Sequence, residues 1–203
     1  FLPKKDLLSL DEIERICTSF INLGTRKIRI TGGEPLVRKN VMSLFKNLGA
    51  FINKKKLNEL TLTTNGSQLE KYAEELYEYG VRRINVSVDT LKPKLFRELT
   101  RRGDLDKVLK GIEKAIKVGL KIKINTVALK ETNEFELLDI MTWAHSNNCD
   151  ITFIETMLLG EIDIDRTDQF LPLSKVKETL SKKYTLQNSK YYTGGPSRYF
   201  QVL

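Results

Sequence analysis

Short β-branched runs alternate with helical stripes along this chain, and that alternation admits only a few folds. Lys27 to Thr31, Leu60 to Thr64, Arg83 to Asp89, Lys121 to Val127 and Ile151 to Glu155 read as strands, several with clean period-2 alternation. Between them apolar residues recur at helical spacing. The first stripe runs from Leu10 to Leu23, behind a Ser9/Glu12 capping-box pattern, and Gly24 closes it. Further stripes cover Val41 to Ile52, Leu69 to Tyr79, Pro93 to Leu99, Leu105 to Val118 and Phe135 to Ser146. Beyond Gly160 the pattern weakens. Asp163, Asp165 and Asp168 fall in a loop, Leu173 to Lys183 reads as a helix, and Tyr191 to Leu203 as a glycine-containing hairpin or extended tail. Strands alternating with helices predict an α/β protein with a parallel sheet built by right-handed crossovers. Open doubly wound sheets and (β/α) barrels both satisfy that pattern.

The 203 residues suffice for one domain with a real core. No apolar run approaches the roughly 18 residues of a membrane span, and Phe1 to Asp6 has no signal-peptide core. The chain lacks an initiator methionine, which suggests that it begins inside a longer protein. A net charge of +8 favours anionic partners, although the positive residues are scattered along helices rather than gathered for DNA or RNA. Cys17 and Cys149, far apart in sequence, indicate buried free thiols in a reducing, cytoplasmic setting. Nothing has zinc-ligand spacing, and His145, the single histidine, reads as a surface or capping residue.

The familiar nucleotide fingerprints are missing. No G-x-x-x-x-G-K-[ST] occurs, and Gly32-Gly33 fails the G-x-G-x-x-G spacing. What remains is a set of strand ends. Gly32, Gly33 and Glu34; Thr63, Thr64 and Asn65; Ser87 and Asp89; Lys123 and Asn125; and Glu155 and Met157 all fall where strands finish. In a parallel barrel such ends open on one face. Each polar residue alone could serve as a helix or strand cap. Together with the cations Arg29 and Lys123 they line a cavity suited to an anion. Arg29 and Lys123 stand about three strands apart, so both face one cavity only if the sheet curls, which favours a barrel.

The segment Lys27-Ile28-Arg29-Ile30-Thr31-Gly32-Gly33-Glu34-Pro35-Leu36 resembles the glycine-glycine-glutamate motif of radical S-adenosylmethionine enzymes. Leu62-Thr63-Thr64-Asn65-Gly66, Arg83-Ile84-Asn85-Val86-Ser87-Val88-Asp89, Lys121-Ile122-Lys123-Ile124-Asn125 and Phe153-Ile154-Glu155-Thr156-Met157 follow in order. In that register the chain is similar to one branch of the superfamily, the GTP 3′,8-cyclases of molybdenum cofactor biosynthesis. The resemblance extends through Gly194-Gly195-Pro196-Ser197-Arg198-Tyr199. It implies an incomplete parallel (β/α)6-type barrel, TIM-like, over residues 1–160, with 161–203 opening a C-terminal segment. It assigns S-adenosylmethionine contacts to Gly33, Glu34, Ser87 and Met157, and GTP contacts to Arg29, Thr63 and Lys123. No residue of the chain takes a catalytic or metal-ligating role.

In that family a reduced [4Fe–4S] cluster cleaves S-adenosylmethionine, and the radical abstracts hydrogen from the ribose of GTP. The ribose carbon then attacks the guanine ring to give (8S)-3′,8-cyclo-7,8-dihydroguanosine 5′-triphosphate. The resemblance thus implies GTP, an electron donor and the next enzyme of the molybdopterin pathway as partners. It implies no nucleic acid and no membrane, and it leaves an oligomer open. The family's Cys-x3-Cys-x2-Cys loop and the three cysteines of its second cluster are not among these residues, and Thr152 stands where arginine is common. The chain therefore reads as an internal fragment, without the first strand and inactive by itself. Two rival readings are another radical enzyme, such as a peptide-modifying one, and a cluster-less binding module.

Overall fold

A computed structural model describes residues 7–156, 169–192 and 196–203. Five strands form one parallel sheet: β1 (Lys27–Ile30), β2 (Glu59–Thr64), β3 (Arg83–Ser87), β4 (Lys121–Ala128) and β5 (Asp150–Glu155). Their spatial order is β1-β2-β3-β4-β5, the order of the sequence. The helices are α1 (Leu10–Asn22), α2 (Val41–Asn53), α3 (Leu69–Glu78), α4 (Pro93–Thr100), α5 (Leu105–Val118), α6 (Leu137–Ser146) and α7 (Leu173–Ser181). A two-stranded antiparallel ribbon, β6 (Leu186–Asn188) with β7 (Phe200–Val202), follows outside the sheet.

The strand order decides between the two architectures that the sequence admits. Right-handed crossovers that always step the same way put every helix on one face, as in a barrel wall. A doubly wound sheet needs a reversal of strand order, and none occurs among these five strands. The strands themselves match this one-sided cover. Leu60, Leu62, Ile84, Val86, Ile122 and Ile124 face the helices and are at most 3% exposed. They pack with Phe45 and Leu48 of α2, Ala73 and Leu76 of α3, and Ile112 and Ala115 of α5. Each fully buried Leu or Ile contributes about 2 kcal/mol. A second apolar cluster joins Ala128 to α6 and α7 through Ile140, Met141, Val176 and Leu180.

The opposite face is mainly polar, with Val127 and Ile154 its apolar members at the tips of β4 and β5. The register aligns Arg29, Thr61, Arg83 and Lys121 in one row. Thr63, Asn85, Lys123 and Asp150 form the next, and Ser87, Asn125 and Thr152 the one after. Rows lie two residues, or about 6.6 Å, apart along the strands. Arg29 and Lys123 thus share a face, as the expectation of a curled sheet required. The five strands make part of a barrel wall and do not close on themselves.

Local signals hold with small shifts. Ser9 and Glu12 form the reciprocal capping box at α1, with Ser9 N–H donating to Glu12 at 2.7 Å. β3 ends at Ser87 rather than Asp89, because Asp89 turns to accept a hydrogen bond from Val127 N–H at 2.8 Å. The helix expected from Phe135 starts at Leu137, after a 3-10 turn over Glu134–Glu136 that leaves Phe135 82% exposed. The C-terminal hairpin begins earlier than Tyr191: its first strand is Leu186–Asn188.

Candidate functional site

The C-terminal strand tips and the polar face below them form the candidate site. At the tip of β1, Gly32 has φ +136°, a conformation that L side chains rarely adopt. Gly33 is exposed, and a Cβ there would meet nothing within 4 Å, so its backbone stands open to a ligand. Glu34 caps the 3-10 turn Pro35–Val37. Its Oε1 accepts from Leu36 N–H at 3.0 Å and from Thr64 Oγ1 at 2.7 Å. Its Oε2 accepts from Asn65 N–H at 2.6 Å. The carboxylate thereby staples the tip of β1 to the tip of β2. An ionised carboxylate offers about four acceptor positions; these bonds leave room for one further donor, such as an ammonium group. Ser87 is exposed at the tip of β3.

Below the tips, cations outnumber anions. The polar face carries Lys27, Arg29, Arg83, Lys121 and Lys123 against Glu59 and Asp150. Glu59 engages two of the five: Lys27 Nζ lies 2.7 Å away, and Arg83 donates from Nε at 3.0 Å and from its terminal nitrogen at 2.6 Å. Burial raises the Glu59 carboxyl, but hydrogen bonds from Lys27 and Arg83 and their charges outweigh it, and the net direction is down. Lys123 is 6% exposed, and its Nζ sits 5.6 Å from the centroid of the Tyr199 ring. Tyr199, stacked edge-on with Tyr191 at 4.9 Å, brings the C-terminal segment over β4. A face of this sign, shielded on one side, attracts anions.

The sequence reading thus meets its residues in two groups. Gly33, Glu34 and Ser87 lie at the strand tips. Arg29, Thr63 and Lys123 lie on the polar face, with Thr63 and Lys123 in one row on either side of Asn85. Met157, together with Gly194 and Gly195, lies outside the described residues. Thr152, which stands where an arginine was expected, is half-buried on the same face beside Asn125. Asp89 and Asn65 leave the cavity for local work: Asp89 binds β4 backbone, and Asn65 Oδ1 accepts from Ser67 N–H at 2.9 Å. The reading passed over Asn85 and the Lys27–Glu59–Arg83 cluster. Period-2 counting back from Ser87 puts Asn85 on the polar face, so that signal was available.

The residues suit S-adenosylmethionine better than an iron–sulfur cluster. Gly33 offers open backbone and Glu34 a spare acceptor, which fit an amino acid moiety. A cluster needs closely spaced thiolates. The two cysteines sit in α1 and before β5, and among the described residues no group of three or more His, Cys, Asp and Glu could hold a metal. Burial, helped by Asp150, pushes the Cys149 thiol up to about 11, and burial raises Cys17 as well, with Glu14 adding to it. Neither is a thiolate at neutral pH. A separate groove of about 1540 Å³ runs between β5, α7 and the C-terminal segment, lined in part by Thr152, Ile154, Arg198 and Tyr199. It contains none of Arg29, Gly33, Glu34, Thr63, Ser87 or Lys123.

A one-sided parallel wall with a glycine-glutamate loop at its first tip defines a class, and the comparisons with known proteins agree. The Radical SAM superfamily pattern matches residues 1–144, and the chain belongs to that superfamily. Among curated proteins it is 58% identical over 203 residues to a GTP 3′,8-cyclase of Sinorhizobium medicae and 59% identical over 202 residues to one of Rhizobium etli. Each match covers 100% of this chain but only 58% of the relative's length. Among solved structures, anSMEcpe with bound AdoMet superposes with a TM-score of 0.69 at 19% identity, over 89% of this chain and 52% of that one. Streptococcus suis SuiB bound to S-adenosylmethionine gives 0.65 at 22% identity, over 87% and 39%. These likenesses establish the fold.

Proposed function

We propose that the chain is the cofactor- and nucleotide-binding wall of a GTP 3′,8-cyclase acting in molybdenum cofactor biosynthesis. The observation that carries the reading is the polar face: Arg29, Thr63 and Lys123, named from the resemblance, share it across β1, β2 and β4. Identity of 58% over the whole chain to named cyclases supports the choice of branch.

In this reading Arg29 and Lys123 neutralise the triphosphate, and Thr63 offers a hydroxyl between them. Their charges replace the P-loop that the sequence lacks. Glu59 holds Lys27 and Arg83, which leaves Arg29, Lys121 and Lys123 of the five cations to a ligand. At the tips, Gly33 backbone, the spare Glu34 acceptor and the Ser87 hydroxyl hold S-adenosylmethionine, with Met157 against its adenosyl part. When bound, S-adenosylmethionine supplies the radical that starts hydrogen abstraction from the ribose. The chain's own share is to orient both ligands and to keep the space between them dry. Residues 1–160 form this wall, and 161–203 lead into the C-terminal segment. The whole protein takes electrons from a donor and passes its product to the next enzyme of the molybdopterin pathway. The reading sets this work on GTP in the cytoplasm; no helix among the described residues is long and apolar enough to cross a membrane.

The test is anaerobic turnover by the whole protein with GTP, S-adenosylmethionine and a reductant. GTP-dependent formation of 5′-deoxyadenosine and loss of GTP are expected. Cofactor cleavage that ignores GTP overturns the reading in favour of another radical enzyme. The 203-residue chain, incubated with iron and sulfide, is expected to show no cluster absorbance.

A further inference from the structure

Asn85 is 3% exposed, and its Oδ1 is sealed from solvent without a hydrogen-bond partner among the described residues. Buried polar atoms in native proteins are almost always paired, because an unmet one forfeits its bonds to water. The same chain shows what a structural asparagine looks like. Asn133, 0% exposed, donates to Asp89 O at 2.7 Å and Val127 O at 2.8 Å and accepts from Leu129 N–H at 2.8 Å. Glu136 Oε1, the other buried oxygen without a hydrogen bond, has its charge met by Lys92 Nζ at 3.2 Å. Asn85 Oδ1 has neither kind of partner.

Its place on the sheet says what it awaits. Asn85 sits between Thr63 and Lys123 in the middle row of the polar face. Arg29 belongs to the row nearer the strands' N-terminal ends, and Ser87 to the row nearer the tips. A nucleotide whose phosphates meet Arg29 and Lys123, and whose sugar gives up hydrogen to the cofactor near Ser87, lays that sugar against Asn85, one row below the tips. In a nucleoside triphosphate the part between phosphates and base is the sugar, and its donors are hydroxyl groups. Lys123 is Asn85's neighbour in this row, and its Nζ lies 5.6 Å from the centroid of the Tyr199 ring.

We infer that Asn85 is a further substrate-positioning residue, whose Oδ1 accepts a hydrogen bond from a ribose hydroxyl of the nucleotide. The inference rests on the nucleotide reading of the same face. It fixes the sugar relative to the strand tips, where hydrogen abstraction requires it.

The experiment is calorimetry on the whole protein with GTP, 2′-deoxy-GTP, 3′-deoxy-GTP and S-adenosylmethionine, for wild type, Asn85→Ala and Asn85→Ser. Asn85→Ala is expected to weaken GTP about tenfold. One of the two deoxy nucleotides is expected to bind wild type and Asn85→Ala alike, since its contact is already gone. Asn85→Ser, which keeps an acceptor, falls between. S-adenosylmethionine affinity and the unfolding midpoint stay where they are in wild type. Equal GTP affinity in wild type and Asn85→Ala overturns the assignment. So does an equal loss for GTP and both deoxy nucleotides, which points to the base or the phosphates. A lowered midpoint with loss of every ligand marks a structural residue and overturns it as well. Wild type that fails to bind GTP at all removes the nucleotide reading itself, a result visible before any variant is made.

Discussion

Two polar regions of this molecule differ in one respect: whether their groups are already spoken for. Behind the tips of β3 and β4, Thr90 donates to Glu136 at 2.8 Å, Thr126 donates to Val88 O at 2.7 Å, and Asn133 makes three bonds. That network ties two loops together, and its one carboxylate oxygen without a hydrogen bond, Glu136 Oε1, has its charge met by Lys92. On the polar face of the sheet, Asn85 Oδ1 is unmet and Lys123 rests against an aromatic ring. Satisfied polar groups build the wall; unsatisfied ones mark where something else belongs.

The contrast is broken most sharply by asparagine-to-alanine changes at the two sites. Asn133→Ala strands two carbonyls and an amide and is expected to cost about 3 kcal/mol in urea unfolding. Asn85→Ala is expected to cost far less in the same assay, since its carbonyl has no protein hydrogen bond to lose. Equal costs would erase the distinction between the regions.

Lys123→Ala comes next. In the whole protein it is expected to weaken GTP by about tenfold to a hundredfold, in line with a hydrogen bond to a charged group. S-adenosylmethionine affinity stays near wild type, and a loss of both ligands together would place Lys123 in the framework. Gly33→Ala probes the tips. Its Cβ meets nothing within 4 Å, so the unfolding midpoint holds while S-adenosylmethionine affinity falls. A lower midpoint would make Gly33 a folding residue. The stapling carboxylate next to it behaves the other way: Glu34→Ala frees the tips of β1 and β2 and is expected to cost about 1–2 kcal/mol.

The smallest effects are in the pH profile, and the two regions have opposite signs. Glu59 on the face has a lowered carboxyl, despite burial, because Lys27 and Arg83 hold it charged. Its stabilisation is present above its unfolded value and fades as pH falls through the folded one. Glu59→Gln should therefore remove about 1 kcal/mol or less at neutral pH and flatten the acid limb. Asp89 in the loop network is raised by burial, offset in part by Val127 N–H. Its contribution is full below the unfolded value and declines as pH rises through the folded one. Asp89→Asn keeps the acceptor and removes the charge, so stability at neutral pH should rise slightly. Profiles of both variants with the same sign would contradict these environments.

Much of the fold was legible in the chain. Period-2 runs such as Lys121 to Val127 and the capping box at Ser9 and Glu12 depend on neighbours in sequence, and they held. The start of the last hairpin shifted because its register pairs Leu186 with Val202, which local pattern does not encode. At the site, Gly33, Glu34 and Ser87 came from a motif. The role of Glu34 as a staple did not, since its partners Thr64 and Asn65 lie 30 and 31 residues away.

The sequence by itself determined that each strand has one apolar and one polar side, because side chains alternate along an extended backbone. It also determined which cations and hydroxyls lie near strand ends. Only the tertiary structure decided that the strands stand in sequence order, with α2, α3 and α5 packed on the apolar side and the polar side left for ligands. Only it could separate Asn133, whose bonds are complete, from Asn85, whose carbonyl is not. Hydrogen bonding there depends on groups from other strands and loops, brought within 3 Å by packing and not by sequence.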